Sequence, residues 1–218
     1  MRKTELVIFD MDGVLLDSES LYWKVNFKFF DDLGVDITHD EYNSFIGISG
    51  RKMWSYIKEK GNLPQSISSL IIEEKQRKYD ALAREDLMPN NGLYKLLEYL
   101  KAEEIDCCIA SSGLMKNIQL ILNKLKVAEH FSHIVSGEMV TNGKPSPDIF
   151  LQAAKHFSKN ASDCVVIEDS RNGVEAAKSA RMSCVGYINQ GSGNQDLSKA
   201  DLIIDSLIDQ RLFEFIKT

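Results

Sequence analysis

The chain has 218 residues, 44% hydrophobic and 27% charged, and its 26 basic and 32 acidic side chains leave a net charge of −6. Such a composition suits one or two globular domains with a sizeable buried core and excludes a mainly disordered polymer. The mild acidity gives no bulk attraction to phosphodiester backbones, and no apolar run approaches the roughly 18 residues of a membrane span, so neither nucleic acid nor membrane is expected as a partner.

The first apolar run, Leu6–Phe9, is cut short by Asp10, too early for the hydrophobic segment of an export signal, and the expected location is the cytoplasm. From about 16 to 85 the sequence carries helical patterns and no convincing strand. Tyr22, Val25, Phe29, Phe30 and Leu33 line one face, which Gly34 then ends; further helices are expected over Gly50–Lys60 and Ser66–Ala83. Beyond Pro89 the pattern changes. Leu93, Leu96, Leu97 and Leu100 make a helical stripe, followed by the short apolar run Cys107–Ala110. Ile118, Ile121, Leu122 and Leu125 repeat the helical spacing before the run His133–Val135. Ile149, Phe150, Ala153, Ala154 and Phe157 form the next stripe, with Cys164–Ile167 after it. Val174, Ala177 and Ala180 precede Cys184–Val185, and Leu202–Ile204 is the last run.

Short apolar strands alternating with amphipathic helices predict an α/β fold, a doubly wound parallel sheet covered on both faces. The expected organisation is a Rossmann-like core from residues 1–16 and 86–218, with an all-helical insert over 17–85 and hinges at Leu16–Ser18 and Arg84–Pro89. Cys107, Cys108, Cys164 and Cys184 have no CxxC spacing and sit inside apolar runs, so they read as buried small hydrophobes. No stretch demands a protein partner, and a monomer is expected.

The acids fall at informative places. Asp10 and Asp12 directly follow the first run, in VIFDMDGVLLDSE, and Glu168 and Asp169 directly follow Cys164–Ile167, in VIEDSRNGV. Open α/β sheets bind ligands outside the carboxyl ends of their strands. If both strands are central, four carboxylates converge, and two like charges about 4 Å apart repel by roughly 4 kcal/mol at an effective dielectric near 20. Such a cluster needs a cation or protons, and all-oxygen ligands favour Mg²⁺.

Other strand ends supply the opposite chemistry. Ser111-Ser112-Gly113 follows Cys107–Ala110 and leads into a helix, which places a hydroxyl and backbone N–H groups at a natural anion site. Gly143-Lys144-Pro145 follows the His133–Val135 run, with Pro145 or Pro147 opening the next helix, and Lys144 supplies one compact positive charge. Each piece alone is an ordinary turn or helix start. Together, in this order and each at a strand end, they describe a phosphoryl-transfer site. A calcium loop starting at Asp10 fails because Leu15 and Leu21 stand where Gly and Glu are needed. A P-loop fails because the spacing from Gly137 is one residue too long and Pro145 replaces the required hydroxyl residue.

With FDMDGVLLDSE as its most specific motif, the chain resembles the haloacid dehalogenase-like hydrolases over nearly its whole length. The resemblance is to the branch of phosphatases and β-phosphoglucomutases with a helical cap after the first strand. It implies that Asp10 is the nucleophile and Asp12 the general acid/base, that Ser111, with Ser112 and Gly113, binds the transferring phosphoryl group, and that Lys144 balances its charge. It also implies a Mg²⁺ cofactor held by Asp10, Glu168 and Asp169 together with the backbone carbonyl of Asp12. A dehalogenase has no need of Mg²⁺ or of the aspartate at position 12. The resemblance makes the partner a small phosphorylated metabolite.

In the insert, Gly47-Ile48-Ser49-Gly50-Arg51 resembles the family's substrate-specificity loop. Arg51 reads either as an anion or sugar contact or as a solvated helix-start charge. Lys75 reads either as a residue aimed at the site or, with Arg77 and Lys78, as part of a basic face. Trp23 and Trp54 read as core of the insert ahead of sugar platforms. Tyr22 stands where β-phosphoglucomutases carry a histidine, which favours a sugar-phosphate phosphatase over a mutase interconverting β-glucose 1-phosphate and glucose 6-phosphate. A receiver module that stores phosphoaspartate as a signal is the alternative of another class; Asp12 and the helical insert argue against it.

Overall fold

The computed structural model describes residues 3–45 and 48–217. Its elements in chain order are β1 (Leu6–Phe9), α1 (Glu19–Asp32), α2 (His39–Asn43), α3 (Gly50–Lys60), α4 (Ile67–Arg84), α5 (Leu93–Ala102), β2 (Asp106–Ser111), α6 (Met115–Lys124), β3 (His133–Ser136), α7 (Asp148–His156), β4 (Cys164–Glu168), α8 (Arg171–Ser179), β5 (Ser183–Tyr187), β6 (Leu202–Ile204) and α9 (Gln210–Lys217). Ser20–Glu85 make one compact unit, and the residues flanking that segment on both sides make the other. Asp17–Glu19, which the sequence pattern assigns to the insert, fall with the sheet. Among the described residues no helix is long and apolar enough to cross a membrane.

The flanking unit is a six-stranded sheet in the order β3-β2-β1-β4-β5-β6, with every pairing parallel. The order runs outward from β1 to β3 on one side and from β4 to β6 on the other, so the direction of winding reverses between β1 and β4. Such a reversal leaves a crevice at the carboxyl ends of the two strands. β1 is wholly buried because helices cover both faces of the sheet. Leu6 and Ile8 pack with Cys108 and Val166 against Ile149 and Phe150 of α7 and Val174 of α8. Val7 and Phe9, which point the other way along the pleat, are equally inaccessible, and Phe9 meets Phe131 edge-on at 5.6 Å. All six apolar runs are strands, and the four helical stripes that alternate with them are α5 to α8. The four cysteines are free and buried, and burial pushes the Cys107 and Cys108 thiols up to about 12.

The helical unit has its own core, in which Phe29, Phe30, Met53, Trp54, Ile57 and Leu70 are buried together. Its helices start where side chains can satisfy the first free amides. Ser49 accepts from Lys52 N and Ser66 from Ser69 N, while Thr38 and Glu41 cap α2 reciprocally. Gly34, at φ +69°, ends the run after α1. Trp54, with none of its surface exposed, donates from Nε1 to Glu74 at 2.6 Å, and the other Glu74 oxygen takes Lys78 at 2.7 Å. Trp54 is therefore core, not a sugar platform. Trp23 is half-buried and stacked on His39 at 4.9 Å.

Two helices escape the sequence pattern. α2 has five residues, too few to show a period, and α9 buries only Leu212 and Ile216.

Trp54→Phe keeps most of the packing but leaves Glu74 one donor short. A stability loss of about 1–3 kcal/mol is expected, measured by urea denaturation followed by circular dichroism.

Candidate active site

Parallel register brings the strand ends together. Phe9 is level with Ile109 on one side and Ile167 on the other, and Asp10 continues the ladder by donating its amide to Ile167 O at 2.9 Å. Asp10 therefore leaves the sheet between Ala110 and Glu168, roughly one strand spacing of about 4.8 Å from each. Ser111 ends β2, and Glu168 ends β4 with Asp169 directly after it.

Lys144 reaches these groups from the segment between β3 and α7. Its Nζ lies 2.5 Å from Asp10 Oδ1, 2.7 Å from Glu168 Oε1 and 3.2 Å from the carbonyl of Ala110, and its side chain is only 6% exposed. Phe150 closes one side, its ring centre 5.0 Å from the ammonium. Asp10, Glu168 and Asp169 are all buried, and each offers an oxygen within 4.8 Å of the others. The site thus sets three acids against one lysine.

Burial and this imbalance both show in the proton equilibria. Burial raises the Asp10 carboxyl to about 7; the Lys144 charge opposes that rise, and Glu168 and Asp12 add to it. Asp169 is held well above the usual carboxylate range by burial and then by Glu168 and Asp10. Burial works against the Lys144 ammonium, but Asp10 and Glu168 outweigh it and hold the lysine above its ordinary value. A buried, all-oxygen, charge-deficient set of this kind fits a hard divalent cation such as Mg²⁺.

Asp12, Glu168 and Asp169 each accept from a serine. Asp12, two residues past Asp10, accepts from Ser18 Oγ at 2.5 Å, and Ser18 is 1% exposed. Glu168 Oε2 accepts from both the amide and hydroxyl of Ser170, at 2.7 and 2.9 Å. Asp169 accepts from the buried hydroxyl of Ser192. Asn90 braces the turn after β1, donating from Nδ2 to Gly13 O at 2.7 Å and Val14 O at 3.0 Å. Gly13 is required there: its φ is +82°, and a Cβ would lie 1.8 Å from Asp169 Oδ2. Ser18, Ser170, Ser192 and Asn90 are the residues that sequence reasoning missed. Ser18 and Ser170 do lie inside the two acidic motifs, but nothing local marks Ser192 or Asn90.

Asp10, Glu168, Asp169 and Lys144 come together, and Asp12 and Ser111 both border Gly113, where a Cβ would lie 3.8 Å from Asp12 Oδ2 and 3.2 Å from Ser111 Oγ. The turn after Ser111 is less open than its sequence suggests. Gly113 N donates to Ser111 Oγ at 3.0 Å and Met115 N to Glu138 at 2.8 Å, so two of the amides expected to be free are already paired. In the helical unit, Arg51 and Lys75 are exposed, and Tyr22 has the Lys78 ammonium 4.9 Å from its ring centre. Arg77 is committed to Asp32 and Glu73. Gly47 lies outside the described residues.

A doubly wound sheet that gathers buried acids, a lysine and a serine at its switch point defines an enzyme core with a carboxylate site. Residues 7–187 match the haloacid dehalogenase-like hydrolase family, and the chain belongs to it. It is 34% identical to a phosphorylated carbohydrates phosphatase of Thermotoga maritima, over 81% of each chain. It is 33% identical to the β-phosphoglucomutase of Bacillus subtilis, covering 94% of this chain and 91% of that one. Among solved structures it is similar to CbbY of Rhodobacter sphaeroides in complex with xylulose-(1,5)bisphosphate, with a TM-score of 0.83, 25% identity, and 94% and 96% of the two chains covered. The chain falls in the phosphatase and β-phosphoglucomutase branch of the family.

The raised Asp10 value has a consequence for metal-free protein. Between the unfolded value near 4 and about 7, folded Asp10 keeps a proton that the unfolded chain releases, so stability is lost as pH rises through that window. In EDTA the melting temperature of the wild type is expected to fall from pH 5 to pH 8, and less steeply for Asp10→Asn. Added Mg²⁺ is expected to raise it more at pH 8 than at pH 5, as measured by calorimetry.

Proposed function

We propose that the protein is a Mg²⁺-dependent phosphatase of small phosphorylated metabolites, sugar phosphates foremost, acting through an aspartyl-phosphate at Asp10. The reading rests on the buried cluster at the β1/β4 switch point, where Asp10, Glu168 and Asp169 exceed the single charge of Lys144. Asp10, Glu168, Asp169 and the carbonyl of Asp12 would hold the cation. When bound, the cation supplies positive charge beside the phosphoryl oxygens and lowers the proton affinity of Asp10.

An Asp10 carboxylate oxygen attacks phosphorus while the bond from phosphorus to the ester oxygen breaks, and Asp12 gives its proton to the departing alkoxide. Asp12, now a carboxylate, takes a proton from water as that water attacks phosphorus. The bond to Asp10 breaks, releasing phosphate and restoring both aspartates. General acid–base help contributes about 10²–10⁴-fold, roughly 3–5 kcal/mol, far less than phosphate-monoester hydrolysis requires. The rest falls to charges held at fixed positions. Lys144 is fixed by three oxygens, and Ser111, oriented by Gly113 N, presents its hydroxyl to the phosphoryl group, with Ser112 and Gly113 completing that turn.

For substrate choice the candidates are Arg51, Tyr22 and Lys75 of the helical unit, with Gly47 a candidate from the sequence resemblance alone. Tyr22 supports hydrolysis over mutase chemistry. Relatives named as a phosphorylated carbohydrates phosphatase and a β-phosphoglucomutase support phosphorylated sugars as the class.

Asp10→Asn is expected to abolish phosphate release from sugar and polyol monophosphates, and Asp12→Asn to slow it by at least 10²-fold, both scored by phosphate assay with and without Mg²⁺. Normal turnover by Asp10→Asn would remove the nucleophile assignment. With β-glucose 1-phosphate and a trace of the 1,6-bisphosphate, free phosphate should dominate; efficient glucose 6-phosphate formation would make the protein a mutase.

A further inference from the structure

The loop after β5 reaches the acid cluster from a part of the chain that carries no recognisable motif. Ser192 is 9% exposed and donates a hydrogen bond from its hydroxyl to Asp169 Oδ2. The polarity of this contact is fixed from behind. Gly191 N, which can only donate, meets Asn189 Oδ1 at 3.3 Å, so the amide of Asn189 turns its Nδ2 toward Ser192 Oγ, at 2.8 Å. With its oxygen accepting from Asn189, the single Ser192 proton goes to the aspartate. We propose that Ser192, oriented by Asn189, is a positioning residue that commits one Asp169 oxygen to the protein, so that a divalent cation meets Asp169 through the other oxygen alone and Mg²⁺ is preferred over Ca²⁺. This inference rests on the metal reading above.

The preference follows from coordination chemistry. Mg²⁺ demands six near-octahedral ligands at about 2.1 Å, whereas Ca²⁺ takes 6–8 at about 2.3–2.6 Å and accepts both oxygens of a carboxylate. A carboxylate tied down by one oxygen serves the first ion and handicaps the second. The hydroxyl is not what anchors the loop. Gln195 Nε2 donates to the Ser192 carbonyl at 2.9 Å, and Gln195 Oε1 accepts from Arg171 N at 3.1 Å, fastening the loop to the start of α8 through the backbone. Removing the hydroxyl therefore leaves the loop in place and frees Asp169.

The test is calorimetric titration of metal-free protein with MgCl₂ and with CaCl₂, without substrate, on wild type, Ser192→Ala, Ser192→Thr and Asn189→Ala, with melting in EDTA to check folding. Loss of an outer-sphere partner of this kind typically weakens metal binding about 10–100-fold. Ser192→Ala should lose about tenfold or more in Mg²⁺ affinity with Ca²⁺ little changed. Ser192→Thr should keep the wild-type ratio, and Asn189→Ala, which retains the hydroxyl without its orienting partner, should shift the ratio in the same direction by less. Unchanged affinities in Ser192→Ala, or a parallel loss for both ions, overturns the proposal while leaving the metal site standing. A wild type that binds no Mg²⁺ overturns the metal reading itself and this inference with it.

Discussion

The rest of the core is organised around one buried ammonium. Lys144, almost wholly enclosed, touches Asp10, Glu168 and a backbone carbonyl at once, in a space that also holds Asp169. Removing one partner of such a buried pair costs about 3–5 kcal/mol, because the other charge is left without compensation. The lysine offsets part of the acids' mutual repulsion and not all of it. Burial, and then the repulsion that remains, holds protons unusually tightly on Asp10 and Asp169, and a divalent cation fits such a set.

The sheet makes this concentration of charge possible. In a parallel sheet wound in both directions from its middle, neighbouring central strands end side by side and their connections depart to opposite sides. β1 and β4 therefore deliver Asp10 and Glu168 to the same crevice with the apolar faces of β1 already sealed by helices. Side chains that look equivalent in sequence are then told apart by what else they touch. Glu168 has both oxygens engaged, by Lys144 and by Ser170; Asp169 leans on Ser192; Asp12 is held by Ser18. Four carboxylates thus acquire four environments.

The helical unit obeys a different logic. Its interior is aromatic, centred on Phe29, Phe30 and Trp54, and several of its charges pair with one another, Arg77 with Asp32 and Glu73, Lys78 with Glu74. Arg51 and Lys75 remain on its surface. A unit with its own core and caps can change its surface residues without disturbing its own packing.

The sequence by itself determined the alternation of strands and helices, the all-helical segment and the acids at Asp10, Asp12, Glu168 and Asp169, because burial on both faces writes continuous apolar runs and a strand end is a local event. It also exposed Ser111, directly after its apolar run, and Lys144, in the segment between the His133–Val135 run and the next helical stripe. The five residues of α2 leave no period to read, and α9 offers only the single buried pair Leu212 and Ile216 at i, i+4. Only the tertiary structure decided that β1 lies between β2 and β4, that Lys144 bridges Asp10 and Glu168 across 134 and 24 positions of chain, and that Ser192 and Asn90 serve the acid turns. Strand order and hydrogen bonds between distant segments depend on how whole elements pack, and no window of neighbouring residues carries that information.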